Sequence, residues 1–188
     1  MHINPAVQKL SQLFVNNIRF QVPPFQRDYK WRDTEELQEL WDDLSASYEN
    51  DQEHFLGTIV LSNAGDRNRM DVVDGQQRLT TVSLLFHTIY ATAEAFLEDP
   101  NAPIFEKINE SEKNEESASN VVTQASSLLW DRRKENKYLS LNEKDKFCCF
   151  LIRELRNLQL KQDTSCLLKS QHHFFQCRFQ QQLVYCYL

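Results

Sequence analysis

Residues 70–82 read Met70-Asp71-Val72-Val73-Asp74-Gly75-Gln76-Gln77-Arg78-Leu79-Thr80-Thr81-Val82. Met70 to Val73 has the composition of a short strand, and Gly75 punctuates it. From Gln76 the apolar residues Leu79, Val82, Phe86, Ile89, Ala93 and Phe96 step by three and four, which predicts a long amphipathic helix opening directly after the glycine. Strand, glycine turn and helix therefore meet at Asp74 to Arg78.

Working back from that junction, Phe55-Leu56-Gly57-Thr58-Ile59-Val60-Leu61 is apolar on both faces, the pattern of a strand within a covered sheet, and Asn63 to Asn68 supplies turn residues before the returning strand. Asp33 followed by Glu36 has the form of a capping box, and Leu37, Leu40, Trp41, Leu44 and Tyr48 make one apolar stripe behind it. Nearer the start, Val7, Leu10 and Phe14 recur at helical spacing. After Asn16-Asn17, Ile18, Phe20 and Val22 alternate with polar residues as in a strand. Pro23-Pro24 ends that strand, because proline lacks the ladder donor and restricts its predecessor, and a fixed extended loop holding Phe25-Gln26-Arg27 follows.

Working forward, residues 106–120 are dense in Glu, Asn and Ser with little to bury, so they are expected to form an acidic linker or insertion. Val121 to Trp130 and Glu143 to Leu155 read as further helices, the second capped by Asn142. Past residue 158 acidic residues nearly vanish, while Gln, Cys and aromatics accumulate without a helical or strand period. The expected organisation is a mixed domain over 1–105, the linker over 106–120, the start of a helical region over 121–158 and an atypical tail over 159–188.

The bulk numbers narrow the function. A chain of 188 residues with 41% apolar and 26% charged residues can bury one substantial core. A formal net charge of -6 supplies no global positive field for a phosphate backbone, so contact with nucleic acid has to be local. No apolar run reaches the roughly 18 residues that span a bilayer, and no leader is evident, so a cytoplasmic protein without membrane contact is expected. The 5 cysteines, Cys148, Cys149, Cys166, Cys177 and Cys186, lack the paired spacing of a zinc site and read as free thiols. His172 and His173 are adjacent, so their side chains diverge, which disfavours one shared metal.

The chemistry gathers at the glycine turn. A glycine between strand and helix permits close backbone approach to a ligand, and the first amides of a helix offer donors to an anion, with phosphate the natural guest. Arg78, one turn in, can aim a planar guanidinium at the same anion, and Gln76 and Gln77 add neutral donors and acceptors. Asp74 can hold a divalent cation that bridges phosphates, or orient an attacking water. On spacing alone the plainer reading stays open: Asp74 caps the helix, Gly75 makes the turn and Arg78 pairs with a surface carboxylate. Arg27, among Phe25, Tyr29 and Trp31, is either a stacked cation held for a ligand or an ion-pair partner inside a core.

Three motifs now stand in order: Val22-Pro23-Pro24-Phe25-Gln26-Arg27-Asp28-Tyr29-Lys30-Trp31, then Phe55 to Leu61, then Asp71-Val72-Val73-Asp74-Gly75-Gln76-Gln77-Arg78-Leu79-Thr80-Thr81. Together they resemble the N-terminal domain of GmrSD-type restriction endonucleases, with a weaker match from Tyr138-Leu139-Ser140-Leu141 to Phe150. The resemblance implies an α+β fold of the ParB/sulfiredoxin type, a small mixed sheet with packed helices followed by a helical extension. In that fold a glycine and an arginine three residues on hold nucleotide phosphates, and here those are Gly75 and Arg78. It also implies nucleotide binding and hydrolysis in a modification-dependent DNA restriction and phage-defence system.

The site expected on these grounds has Asp74 and Arg78 as catalytic residues. Gly75, Gln76, Gln77, Arg78, Arg27 and Gln26 bind nucleotide, and Asp74 is the ligand for Mg2+. A nucleoside triphosphate is the expected substrate. Modified DNA is reached through the full system, with a nuclease subunit or a nuclease domain beyond this chain as partner. Relatives usually continue into a helical region and often an HNH nuclease domain, and no His-Asn-His arrangement of metal-ligand character is visible here. A small stand-alone member, or a truncated or frameshifted product departing near residue 158, are the two readings of that ending. Two further functions stay beside the NTPase: a non-catalytic module sensing nucleotide or DNA, and an inactive remnant of a longer gene. The sharpest structural expectation is that the Pro23 to Arg27 loop folds over the glycine turn, bringing Arg27 and Arg78 to one anion from two sides.

Overall fold

The computed structural model describes residues 5–15, 18–32, 35–63, 65–66, 68–106, 113–130, 138–140 and 183–187. In chain order these form β1 (Pro5–Lys9), α1 (Leu10–Val15), β2 (Arg19–Gln21), α2 (Glu36–Glu49), β3 (Phe55–Asn63), β4 (Arg69–Asp74), α3 (Gln76–Glu98), a single 3-10 turn (Pro103–Phe105), α4 (Glu115–Leu129), β5 (Leu139–Ser140) and β6 (Leu183–Tyr187). The class is α+β, as expected. One mixed sheet runs in the order β1-β6-β3-β4-β2-β5. Its β1/β6 and β3/β4 pairs are antiparallel, and β6/β3, β4/β2 and β2/β5 are parallel.

The core joins α1, the sheet, α3 and α4 in one apolar cluster. All six positions that gave α3 its period, Leu79, Val82, Phe86, Ile89, Ala93 and Phe96, are buried. Phe14 of α1 meets Phe20 of β2 edge to face at 5.9 Å and Phe86 of α3 at 6.4 Å, so one aromatic ring ties three elements together. On β3 the buried residues are Leu56, Ile59 and Leu61. Strict alternation fails between Leu56 and Ile59, where Gly57 has φ +105° and the pairing with β6 shifts register.

Three local expectations give way in the structure. Residues 5–9 are strand rather than helix, and the helix begins at Leu10. The partner of β1 is β6, some 180 positions away, which no local period announces. The expected linker over 106–120 is helical from Glu115. Asn114 caps that helix by accepting from the Ser117 amide at 3.0 Å, and Glu115 and Glu116 lie where the helix dipole favours negative charge. The acidity that read as solvated chain is an N-terminal signal of α4, so the helical region expected from 121 starts earlier and shares the core of the first 105 residues. Within the expected atypical tail, residues 183–187 form a strand between β1 and β3. The helix expected over Glu143 to Leu155, the adjacent histidines and all the cysteines except Cys186 lie outside the described residues.

α2 carries the expected stripe, with Leu37 and Leu44 buried and Leu40 and Trp41 packed against the core. Asp33 lies outside the described residues, so its capping role does too. Glu36 does reach back, accepting from the Arg32 amide at 3.1 Å.

Candidate functional site at the β4–α3 turn

Gly75 stands before α3 with φ 83° and ψ 8°, a left-handed conformation that a side chain disfavours. A Cβ there would lie 2.9 Å from the Thr58 carbonyl oxygen and 3.0 Å from Ile59 Cγ1. The close approach that this glycine permits in the structure is to the β3 backbone. Gly75 has no side chain with which to cap α3, and among the described residues the first-turn amides of Gln76, Gln77 and Arg78 keep the unsatisfied donors of a helix start. Asp74 is exposed, and its Oδ1 accepts from the Gly75 amide at 2.8 Å, one position short of the helix. The capping role considered for it is therefore limited to the turn.

Arg78 is half-buried and donates from Nη1 to the Thr58 carbonyl at 2.7 Å. Its guanidinium crosses Gly57 so closely that a Cβ there would be 2.7 Å from Nη1 and 3.0 Å from Cζ. Gly57 thus belongs to the site, a role that reading the sequence did not assign. The available signal was a glycine inside an apolar strand, which marks a bulge or a close approach without naming what approaches. A guanidinium has five N–H donors, and one is engaged among the described residues. The surface ion pair considered for Arg78 is absent among those residues.

The Pro23 to Arg32 loop lies across this turn. The Gln26 amide donates to the Pro23 carbonyl at 3.0 Å, closing a tight turn, and Gln26 Nε2 donates to the Val73 carbonyl at 2.9 Å. Gln76 Nε2 donates to the Arg27 carbonyl at 2.6 Å. Gln77 spends both ends of its amide on the loop, accepting from the Lys30 amide at 2.8 Å and donating to the Asp28 carbonyl at 3.4 Å. Tyr29 and Thr81 join their hydroxyls at 2.7 Å. The two glutamines read as ligand donors are buried and hold the loop, and Gln76 Oε1 is buried without a partner among the described residues. A buried acceptor left unmatched costs on the order of 1–3 kcal/mol, which makes Gln76 the one polar group here whose position calls for a donor.

The structure brings Gln26, Arg27, Asp74, Gly75, Gln76, Gln77 and Arg78 into one neighbourhood, but it uses Arg27 through its backbone. The Arg27 side chain is exposed and shares no partner with Arg78 among the described residues. Its charge acts on Glu36, whose carboxyl lies below the ordinary carboxylate range. That lowering comes first from the Arg32 amide and its own amide, and then from the charges of Arg32 and Arg27. The loop folds over the turn as expected, with no ion pair of the Arg27 guanidinium among the described residues. Of the nearby aromatics, Tyr29 and Trp31 are half-buried and Phe25 is 79% exposed.

A family model for the N-terminal domain of GmrSD restriction endonucleases matches residues 10–186. The chain belongs to this family. As a GmrSD N-terminal domain it is a module of a restriction system, and the match runs from α1 through the turn at Asp74 to Arg78 and into β6. No curated protein matches the chain. Among the described residues of this GmrSD domain, no three His, Cys, Asp or Glu side chains gather into a metal cluster, and no helix is long and apolar enough to cross a membrane.

Proposed function

We propose that this GmrSD domain binds a nucleoside triphosphate at the β4–α3 turn and hydrolyses it within a modification-dependent DNA restriction and phage-defence system. The observation that carries the reading is the uncapped start of α3 beside an arginine already fixed in place. Helix amides and a guanidinium with unused donors then belong to one turn. Arg78 needs no side-chain ordering on binding, because Thr58 and Gly57 hold it against β3, and its remaining donors suit phosphate oxygens. The first-turn amides take the phosphate nearest the helix.

Magnesium commonly binds through one or two carboxylates together with substrate phosphates, and Asp74, exposed at the rim, is the carboxylate in position to hold it. When bound, the ion would neutralise phosphate charge. Asp74 is also the group placed to orient a water. A sensing module without turnover is the second reading. It is favoured by the way Gln76 and Gln77 bind the loop, since occupancy of the turn would then be transmitted to residues 26–32.

Titration with a labelled nucleotide, run beside phosphate release in magnesium, separates the two. Binding with release supports the hydrolase, and binding without release supports the sensor. Arg78→Ala should weaken binding by about 1.5–3 kcal/mol, the range for a hydrogen bond to a charged group. Absence of binding by the unaltered protein overturns both readings.

A further inference from the structure

Phe25 is the most exposed large apolar side chain among the described residues, at 79%. Such a ring on a mobile loop would mean little, but this loop is fixed on both sides of it. Pro23 and Pro24 restrict the chain before Phe25, the Gln26 amide closes the turn onto Pro23, and the Gln26 side chain ties the next residue to the Val73 carbonyl. Val73 is itself 43% exposed and leads directly into Asp74-Gly75. A rigid aromatic face and a small apolar neighbour therefore stand at the rim of the turn where the phosphates are proposed to bind. The other exposed apolar residues, Val7, Phe55 and Leu97, belong to β1, the start of β3 and the far end of α3.

We propose that Phe25 is the stacking platform for the nucleobase of the bound nucleotide, so that phosphates sit on α3 and Arg78 while the base lies on the Pro23 to Gln26 turn. This rests on the nucleotide reading above. Two side chains are too few for a protein interface, which needs about 800 Å2 on each partner, whereas one aromatic ring matches one base. A strand of nucleic acid is disfavoured as the source of that base by the net charge of -6, so a mononucleotide is the occupant. Beside the helix start stands Gln76: at 7% exposure its Oε1 has no partner among the described residues, and its Nε2 bonds the Arg27 carbonyl of the loop that carries Phe25. Stacking accepts any π-face, so this contact adds affinity without choosing among bases.

The test compares the unaltered protein, Phe25→Ala and Phe25→Trp. Each is titrated with ATP, GTP and CTP, with inorganic tripolyphosphate as a ligand that has no base, and with a short single-stranded oligonucleotide. Phe25→Ala should weaken all three nucleotides by about tenfold or more, the effect of losing one stacked base, and leave tripolyphosphate within about twofold. Phe25→Trp should retain nucleotide affinity, and its added emission should be quenched by ATP and not by tripolyphosphate. If Phe25→Ala binds ATP as the unaltered protein does, or loses tripolyphosphate equally, the stacking role is overturned while the phosphate site stands. If Phe25→Ala affects the oligonucleotide alone, the mononucleotide is overturned as occupant. If the unaltered protein binds neither ATP nor tripolyphosphate, the phosphate site fails and the platform falls with it.

Discussion

At its N-terminal end α3 buries Gln76, Gln77, Thr80 and Thr81, while towards its C-terminal end Phe96 meets Phe105 edge to face at 5.2 Å with Ala118 of α4 beside them. The far end is held by apolar area, which is non-directional and tolerates small adjustments. The near end is held by hydrogen bonds to a loop about 50 residues earlier in the chain, and these demand geometry. Burying amides is unfavourable unless they are bonded, and one oxygen of Gln76 is left without a partner among the described residues. A helix that only had to fold could be apolar at both ends. The polar end is where this helix holds the loop by directional bonds instead.

The contrast can be broken most forcefully in the middle of the helix. Phe86 is fully buried and touches Phe14, so Phe86→Ala should destabilise by about 3–5 kcal/mol in denaturant melts, through lost transfer energy and a cavity. A loss near 1 kcal/mol would mean that the core at this point collapses to fill the space.

Gly75→Ala comes next, because it adds left-handed strain to a contact of 2.9 Å with the Thr58 carbonyl. About 2–4 kcal/mol should be lost, combining backbone strain with overpacking, and nucleotide binding should fall together with the melting temperature. Binding lost at unchanged stability would instead show that the space beside Gly75 belongs to a ligand rather than to β3.

Gln76→Met sharpens the comparison by separating stability from function. It removes one hydrogen bond to the Arg27 carbonyl and one unmatched acceptor together, so stability should change by less than about 1 kcal/mol while nucleotide affinity drops. A large destabilisation would show that the oxygen is satisfied in solution.

The smallest effect concerns Glu36, which accepts from the Arg32 amide at the edge of the same loop. Its carboxyl is held below the ordinary range, so the folded state binds that proton less readily than the unfolded chain. The contribution is present at neutral pH and is lost as pH falls through the lowered value. Melts from about pH 7 to about pH 3 should show a shallower acid limb for Glu36→Gln, which keeps an acceptor but not a charge. Identical limbs would remove the ionic contribution.

These residues also divide what was legible from what was not. The helix after Gly75, the strand before it, the α2 stripe and the loop after Pro23-Pro24 are written in local period and in proline chemistry, and each element lies where its residues indicate. The α4 cap at Asn114 was equally local, but Glu115 and Glu116 serve a helix start and a solvated linker alike, so composition alone misplaced it.

The sequence by itself determined the order of elements from α1 to α3, the face α3 buries and the motif residues that share one turn, because each follows from spacing within a few residues. Only the tertiary structure decided what those residues do to one another. Gly57 and Arg78 are 21 positions apart and meet because β3 lies against the start of α3. Gln76 and Gln77 turn inward because a loop from before α2 crosses above them, and β1 is a strand because β6 arrives from the other end of the chain. Pairings of that kind depend on which surfaces are brought together, and a local pattern carries no record of its distant partner.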